Sequence, residues 1–143
     1  MKFEYHQPTK IVFGPGRITE AGVEAKELGS KALIVTVPLF DALKPGFDKL
    51  KASLQGAGLE VRHFDGVVAN PTKASIDKGA AMAAEEGVDV VIGFGGGSSM
   101  DTAKAIAVGA VHPGSAWDYL FFKKEPTDKT LPVVAVSTTS GTG

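Results

Sequence analysis

The sequence predicts one α/β domain over residues 1–143, built on a mainly parallel β-sheet with helices on both faces. Apolar runs rich in β-branched residues occur at 31–37, 88–94 and 131–137, as in strands that are buried on both faces. Segments with apolar residues at helical spacing lie between the strands. Alternating strands and helices form βαβ units, whose right-handed crossovers place helices on both sides of the sheet.

The remaining elements are predicted in chain order. The stretch FEYHQPTKIVFGPG predicts two short strands in an edge hairpin around Gln7 and Pro8. Thr72 is the predicted N-cap of a helix, because a threonine hydroxyl there can accept from a free backbone N–H. The other predicted elements are helices over 18–28, 43–57, 73–84 and 98–110, a strand at 58–64, and a loop at 112–120.

The composition excludes several classes of function. Fifteen basic and sixteen acidic side chains leave a formal net charge of -1, so no basic surface is expected to bind nucleic acid or an anionic membrane. No apolar run approaches the roughly 20 residues of a membrane-spanning helix. The N-terminus has no signal-peptide core. Cysteine is absent, which is compatible with a reducing compartment, and we expect a cytoplasmic protein without disulfides.

Three polar or glycine-rich loops follow predicted strands: ANPT at 69–72, GGGSS at 95–99 and TTSGTG at 138–143. The carboxyl ends of parallel strands meet at one edge of the sheet, and ligands bind there. Glycines before a helix N-terminus let an anion approach free backbone N–H groups. The loops together therefore favour a phosphate or nucleotide site.

A purely structural interpretation of the glycine loop stays open beside this one. Ser98 and Asp101 have the spacing of a capping box, which would end the helix without any ligand. Asp101 also places negative charge near the helix start. If a phosphate binds, we expect it on the backbone of Gly96, Gly97 and Ser98.

The motifs GGGSSMDTAKA and LPVVAVSTTSGTG resemble those of the iron-containing (group III) alcohol dehydrogenases, and so do GVVANPT, KIVFGPGRI and HPGSAWDYL. The resemblance runs along the whole chain. It implies a Rossmann-like N-terminal domain that binds NAD or NADP, and a helical C-terminal domain that carries iron or zinc. The implied reaction moves a hydride between an alcohol or aldehyde and the nicotinamide, while the metal polarises the substrate oxygen.

The resemblance also implies a set of cofactor contacts. Gly96, Gly97 and Ser98 would hold the pyrophosphate. Many NAD-preferring members carry an aspartate where this chain has Val37. Valine neither binds ribose hydroxyls nor repels a 2′-phosphate, so the choice between NAD and NADP stays open. The other implied contacts are Asn70, Asp101, Thr138, Thr139, Ser140 and Thr142.

The sequence ends at Gly143, so the implied helical domain and its metal ligands are expected to be absent. His6, His63 and His112 have no metal-ligand spacing. We therefore expect no metal ligand and no catalytic residue in this chain, and no alcohol turnover by it alone. An exposed edge of the N-terminal hairpin could pair with a second subunit in a homo-oligomer.

Alternative functions are a related glycerol or glycerol-phosphate dehydrogenase, a maleylacetate reductase, a dehydroquinate-synthase-like enzyme, or a nucleotide-binding module without catalysis.

Overall fold

The computed structural model describes residues 1–139, which form a four-stranded, fully parallel sheet in the order β2-β1-β3-β4. The elements in chain order are a 3-10 helix Arg17–Glu20, α1 Ala21–Lys26, β1 Lys31–Val35, α2 Lys44–Gly56, β2 Glu60–Phe64, α3 Lys73–Glu86, β3 Val90–Gly95, α4 Gly97–Gly109, a 3-10 helix Ala116–Phe122 and β4 Val133–Ser137. This is the predicted Rossmann-like α/β architecture.

The sheet has a switch point between its two central strands. The chain runs from β1 outward to β2, and then returns to form β3 on the other side of β1. The crossovers after β1 and β3 therefore diverge and leave a crevice beyond the carboxyl ends of these two strands. Open α/β sheets bind their ligands in such a crevice.

Two apolar layers hold the helices against the sheet. Ile34 and Ile92 pack with Phe47 of α2 on one face. On the other face, Leu33 packs in a cluster with Ala83 of α3 and Ile106 of α4. Because successive strand residues point to opposite faces, a strand buried on both sides must be apolar at every position. This explains the continuous apolar runs at β1 and β3.

The ends of α3 follow the sequence prediction. The Thr72 hydroxyl accepts a hydrogen bond from the Ser75 N–H at 3.3 Å, as an N-cap does. Gly87 ends the helix in the left-handed conformation with φ of 65°, which costs little only for glycine. The local sequence therefore determines both ends of this helix.

The predicted N-terminal hairpin is wrong. Residues 1–13 contain no strand, and Phe3, Tyr5, Ile11 and Phe13 are each at least 74% exposed. An isolated two-stranded hairpin is marginal in water, and this segment pairs with neither edge of the described sheet. The alternation of apolar residues resembles a strand, but here it has no sheet to join.

No helix within residues 1–139 is both long and apolar enough to cross a membrane.

Candidate functional site

A cavity of about 300 Å³ lies at the carboxyl edge of the sheet, at the switch point between β1 and β3. All three predicted loops reach this edge: the glycine loop lines the cavity with all five of its residues, and the other two loops contribute Ala69 and the pair Thr138 and Thr139. None of the described residues that line the cavity carries a formal charge. The lining residues are Val37, Phe40, Leu43, Ala69, Gly95, Gly96, Gly97, Ser98, Ser99, Thr138 and Thr139.

The N-terminus of α4 forms one wall of this cavity. Gly96 is the N-cap, in an extended conformation with φ -88° and ψ -171°, and no side chain caps the helix. Its carbonyl oxygen accepts hydrogen bonds from the N–H groups of Ser99 at 3.0 Å and Met100 at 3.3 Å. The N–H groups of Gly97 and Ser98 have no acceptor among the described residues. The cavity wall therefore offers two free donors and the positive end of the helix dipole.

The glycines in this loop serve different needs. Gly95 has a φ of 139°, and a Cβ there would lie 2.6 Å from the Ser99 hydroxyl oxygen. Backbone geometry thus requires glycine at this position. A Cβ on Gly97 would meet no atom within 4 Å. Packing does not require a glycine at 97, so its absent side chain leaves the helix start open to a ligand.

The end of β4 lies across the glycine loop. The Thr138 N–H donates to the Gly95 carbonyl oxygen at 2.9 Å. The Ser137 hydroxyl donates to the Thr139 carbonyl oxygen at 2.7 Å. A Cβ on Gly96 would come within 3.3 Å of the Thr139 hydroxyl oxygen. Two of the predicted threonines are thus brought to the glycine loop, whereas Ser140 and Thr142 lie outside the described residues.

The predicted capping box is wrong. The helix begins at Gly97, two residues earlier than the motif requires, so Ser98 is already inside its first turn. Asp101 lies a full turn further along, where its side chain is 69% exposed and pairs with Lys104 at 3.8 Å. Asp101 does not line the cavity, and its carboxylate does not occupy the helix start. The start of α4 therefore remains available to an anion.

Two other predicted contacts differ in their placement. Val37 is half-buried and lines the cavity. Asn70 is exposed and has a left-handed backbone with φ of 55°. It is absent from the lining, whereas its neighbour Ala69 is part of it. The loop at 69–72 thus reaches the cavity through Ala69 and not through the side-chain amide of Asn70.

Sequence reasoning missed the apolar wall that continues from Val37. Phe40 and Leu43 line the cavity, and Phe40 is 55% exposed. An aromatic residue in the loop after a buried strand was the available signal, because such a side chain has no core to enter. The wall gives the cavity an apolar side in addition to the polar end of β4.

Thr36 connects this wall to the neighbouring strand. It is fully buried, and its hydroxyl donates to the Val37 carbonyl oxygen at 2.6 Å and contacts His63 Nε2 at 2.8 Å. The His63 ring also packs on Phe47 at 4.5 Å between centroids. Burial lowers the pKa of His63 from its ordinary value of 6.5, with Lys51 lowering it further and Asp65 opposing. His63 therefore favours its neutral form.

The described residues do not provide a metal site. No group of three or more histidine, cysteine, aspartate or glutamate residues within 1–139 could hold a metal ion. His63 and His112 both use ring nitrogens in hydrogen bonds to other parts of the fold.

Three comparisons with known proteins agree with this geometry. The chain is 35% identical over 145 residues to the NADH-dependent butanol dehydrogenase A of Clostridium acetobutylicum. This match covers 100% of the chain and 36% of that enzyme. A mutant of an archaeal halo-thermophilic alcohol dehydrogenase from a Red Sea brine pool superposes with a TM-score of 0.91 at 39% identity, over 99% of this chain and 38% of that one. The sulfoacetaldehyde reductase of Bifidobacterium kashiwanohense, solved in complex with NAD+, gives a TM-score of 0.81 at 31% identity, over 97% and 36% of the two chains.

The chain spans about a third of the length of the curated relatives it matches, 36% in the case of the Clostridium enzyme. The family model for iron-containing alcohol dehydrogenases matches residues 8–143. That match covers both the glycine loop and the end of β4. The chain therefore belongs to the iron-containing alcohol dehydrogenase family.

Proposed function

We propose that the cavity at the switch point binds the pyrophosphate of NAD or NADP, and that the chain is the cofactor-binding part of a metal-dependent alcohol dehydrogenase. The observation that carries this proposal is the uncapped N-terminus of α4. Its N–H groups at Gly97 and Ser98 border an uncharged cavity. A dianionic pyrophosphate supplies the acceptors and the negative charge that a helix start favours.

The other lining residues suit the rest of a dinucleotide. Val37, Phe40 and Leu43 form an apolar surface for a flat ring, and Thr138 and Thr139 bring backbone and hydroxyl groups from β4. Pockets for cofactors combine an apolar lining with a few polar groups in this way. Ser140, Thr142 and Asn70 stay proposed contacts, whereas the exposed position of Asp101 favours a role outside the binding site.

Discrimination between NAD and NADP is proposed to be weak. Val37 lines the cavity with no charged or hydrogen-bonding group in its side chain, and no acidic side chain lines it among the described residues. A 2′-phosphate would therefore meet no like charge there. The Clostridium relative is named for its dependence on NADH, and we propose that this chain binds NADH at least as well as NADPH.

The proposed reaction is hydride transfer between the nicotinamide and an alcohol or aldehyde. The bound cofactor supplies or accepts the hydride. The described residues do not fit the iron or zinc ion of the family, because they contain no cluster of suitable ligands. We therefore derive no metal-dependent step from them, and we propose that residues 1–143 alone do not turn over alcohol.

Two further properties are proposed on less direct grounds. A cytoplasmic location is proposed from the cysteine-free composition. A homo-oligomer is proposed because large apolar side chains in residues 1–13 are exposed in the single chain. Related dehydrogenases and a non-catalytic module are the alternatives, and the names of the relatives do not favour them.

Isothermal titration calorimetry with NADH, NADPH and inorganic pyrophosphate tests the proposal. We expect saturable binding of all three, with pyrophosphate competing against NADH for one site. Absence of heat with every ligand at millimolar concentration would contradict it.

A further inference from the structure

Thr36 uses every polar group it has. Its N–H donates to the Phe64 carbonyl oxygen at 2.9 Å, and its carbonyl oxygen accepts from the Val67 N–H at 3.2 Å. Its hydroxyl bonds to the Val37 carbonyl oxygen and to His63. The residue is completely buried, so water cannot replace any of these partners.

These bonds join two segments that both line the cavity. The bond to Val37 holds the start of the loop that carries Phe40. The bond from Val67 holds the start of the loop that carries Ala69. Both loops line the cavity. The residues bonded to Thr36, Val37 and Val67, precede Phe40 by three residues and Ala69 by two. Both loops are thus bonded to one buried residue, one through its hydroxyl and the other through its backbone carbonyl.

The proton arrangement in this cluster follows from its chemistry. A threonine hydroxyl has one proton, and a carbonyl oxygen can only accept. The bond to the Val37 carbonyl oxygen therefore uses the Thr36 proton, at 2.6 Å. His63 must donate from Nε2 to the Thr36 oxygen at 2.8 Å. The chain of donors runs from His63 through Thr36 to the backbone at Val37.

We propose that Thr36 and His63 are positioning residues that hold the apolar wall of the cavity in place for the adenosine half of the cofactor. This inference rests on the proposed function. The oxidised nicotinamide ring is cationic, and an uncharged apolar wall solvates a cation poorly. Adenine is neutral and flat, so it suits the surface of Val37, Phe40 and Leu43. The backbone N–H groups proposed to bind the pyrophosphate, at Gly97 and Ser98, belong to a different segment. In the described part of the chain, Thr36 and His63 make no hydrogen bond to that segment.

The test measures the affinities of AMP, NADH and inorganic pyrophosphate for the wild-type chain and three variants. Thr36→Val keeps the shape of the side chain and removes the hydroxyl. His63→Phe removes the donor, and His63→Gln keeps an N–H donor at a similar reach. We expect Thr36→Val and His63→Phe to weaken AMP and NADH about tenfold, with pyrophosphate changed by less than about twofold. We expect His63→Gln to lie close to wild type.

Ser53→Ala is the matched control. The Ser53 hydroxyl also links two backbone groups, because it accepts from the Gly22 N–H at 2.9 Å and donates to the Thr19 carbonyl oxygen at 2.6 Å. It lies outside the cavity lining. Its loss should lower stability without changing any of the three affinities.

A second measurement needs no variant. Nitrogen-15 spectra of the imidazole in the wild-type chain should show neutral His63 as the Nε2–H tautomer. The Nδ1–H tautomer would overturn the inference. Unchanged AMP binding in Thr36→Val would also overturn it. So would an equal loss of AMP and pyrophosphate binding, because that result would indicate a general loosening of the whole site. If the wild-type chain binds neither pyrophosphate nor NADH, the proposed function fails and this inference fails with it.

Discussion

The N–H of Thr138 donates to the carbonyl oxygen of Gly95 at 2.9 Å, and this bond extends the pairing of β3 with β4 into the glycine loop. The end of β4 thereby holds the turn between β3 and α4. Gly95 adopts a φ of 139° at this point, and a Cβ would press on the Ser99 hydroxyl. The shape of the site therefore depends on the backbone freedom of one residue.

Gly95→Ala should lower the free energy of unfolding by about 1–3 kcal/mol, because a non-glycine residue is strained at this φ. Urea denaturation measures the change. Gly56→Ala is the control, since a Cβ at Gly56 meets no atom within 4 Å and φ there is not positive. The control should equal wild type or exceed it by up to about 1 kcal/mol, because alanine is favoured over glycine in a helix. Equal stability of the two variants would show that the turn is not strained.

Gly97→Ala should fold normally but bind NADH at least about tenfold more weakly, a loss of about 1.4 kcal/mol. A Cβ at Gly97 has free space around it, so the protein tolerates it, but the added methyl occupies the surface that the phosphate approaches. Calorimetry gives the affinity and thermal unfolding checks the fold. Gly56→Ala again serves as control, and wild-type affinity in Gly97→Ala would mean that the phosphate lies elsewhere.

Val37→Asp should shift cofactor preference toward NADH. A carboxylate at this position can accept bonds from ribose hydroxyls and repels a 2′-phosphate, so NADPH affinity should fall about tenfold or more relative to NADH. Val68→Asp adds the same charge at an exposed site that is not part of the cavity lining, and its NADPH to NADH ratio should remain that of wild type. The same shift in both variants would indicate a long-range charge effect and not a contact at Val37.

Asp89→Ala should destabilise the fold by about 1–3 kcal/mol without weakening NADH binding. The carboxylate accepts bonds from the N–H groups of Ser30 and Lys31 at the amino edge of the sheet, opposite the cavity. Burial raises the pKa of Asp89, but these hydrogen bonds outweigh it, and the pKa is lowered from 3.8.

Because the folded state lowers this pKa, the stabilisation from Asp89 is present above about pH 4 and is lost as the pH falls further. Chemical unfolding between pH 6 and pH 3 should show a steeper fall in stability for wild type than for Asp89→Ala. Parallel curves would show that Asp89 contributes no acid-sensitive stability.

The sequence predicted those parts of the fold that depend on local patterns. Continuous apolar runs identified β1 and β3, and Thr72 identified the start of α3, because burial on both faces and N-capping leave signatures in neighbouring residues. The capping box failed although Ser98 and Asp101 have the right spacing. The pattern cannot tell at which of several glycines the backbone turns helical, and the turn occurs at Gly97.

The features that sequence reasoning missed depend on distant residues. Thr36 and His63 are 27 positions apart and meet only because β1 and β2 are adjacent in register. Leu43 belongs to both the apolar core and the cavity wall, a double role that helical spacing alone does not reveal. The N-terminal hairpin failed for the opposite reason, since a strand-like pattern near Phe3 and Tyr5 has no partner strand in the described residues.

The central claim is that the amides of Gly97 and Ser98 hold the pyrophosphate of the cofactor. The most direct measurement is a titration of the nitrogen-15-labelled chain with NADH, followed by amide chemical shifts, with AMP as a ligand that lacks the pyrophosphate. We predict saturable changes that are largest at Gly97 and Ser98 and clearly smaller there with AMP. Unchanged amides at both residues under saturating NADH would contradict the claim.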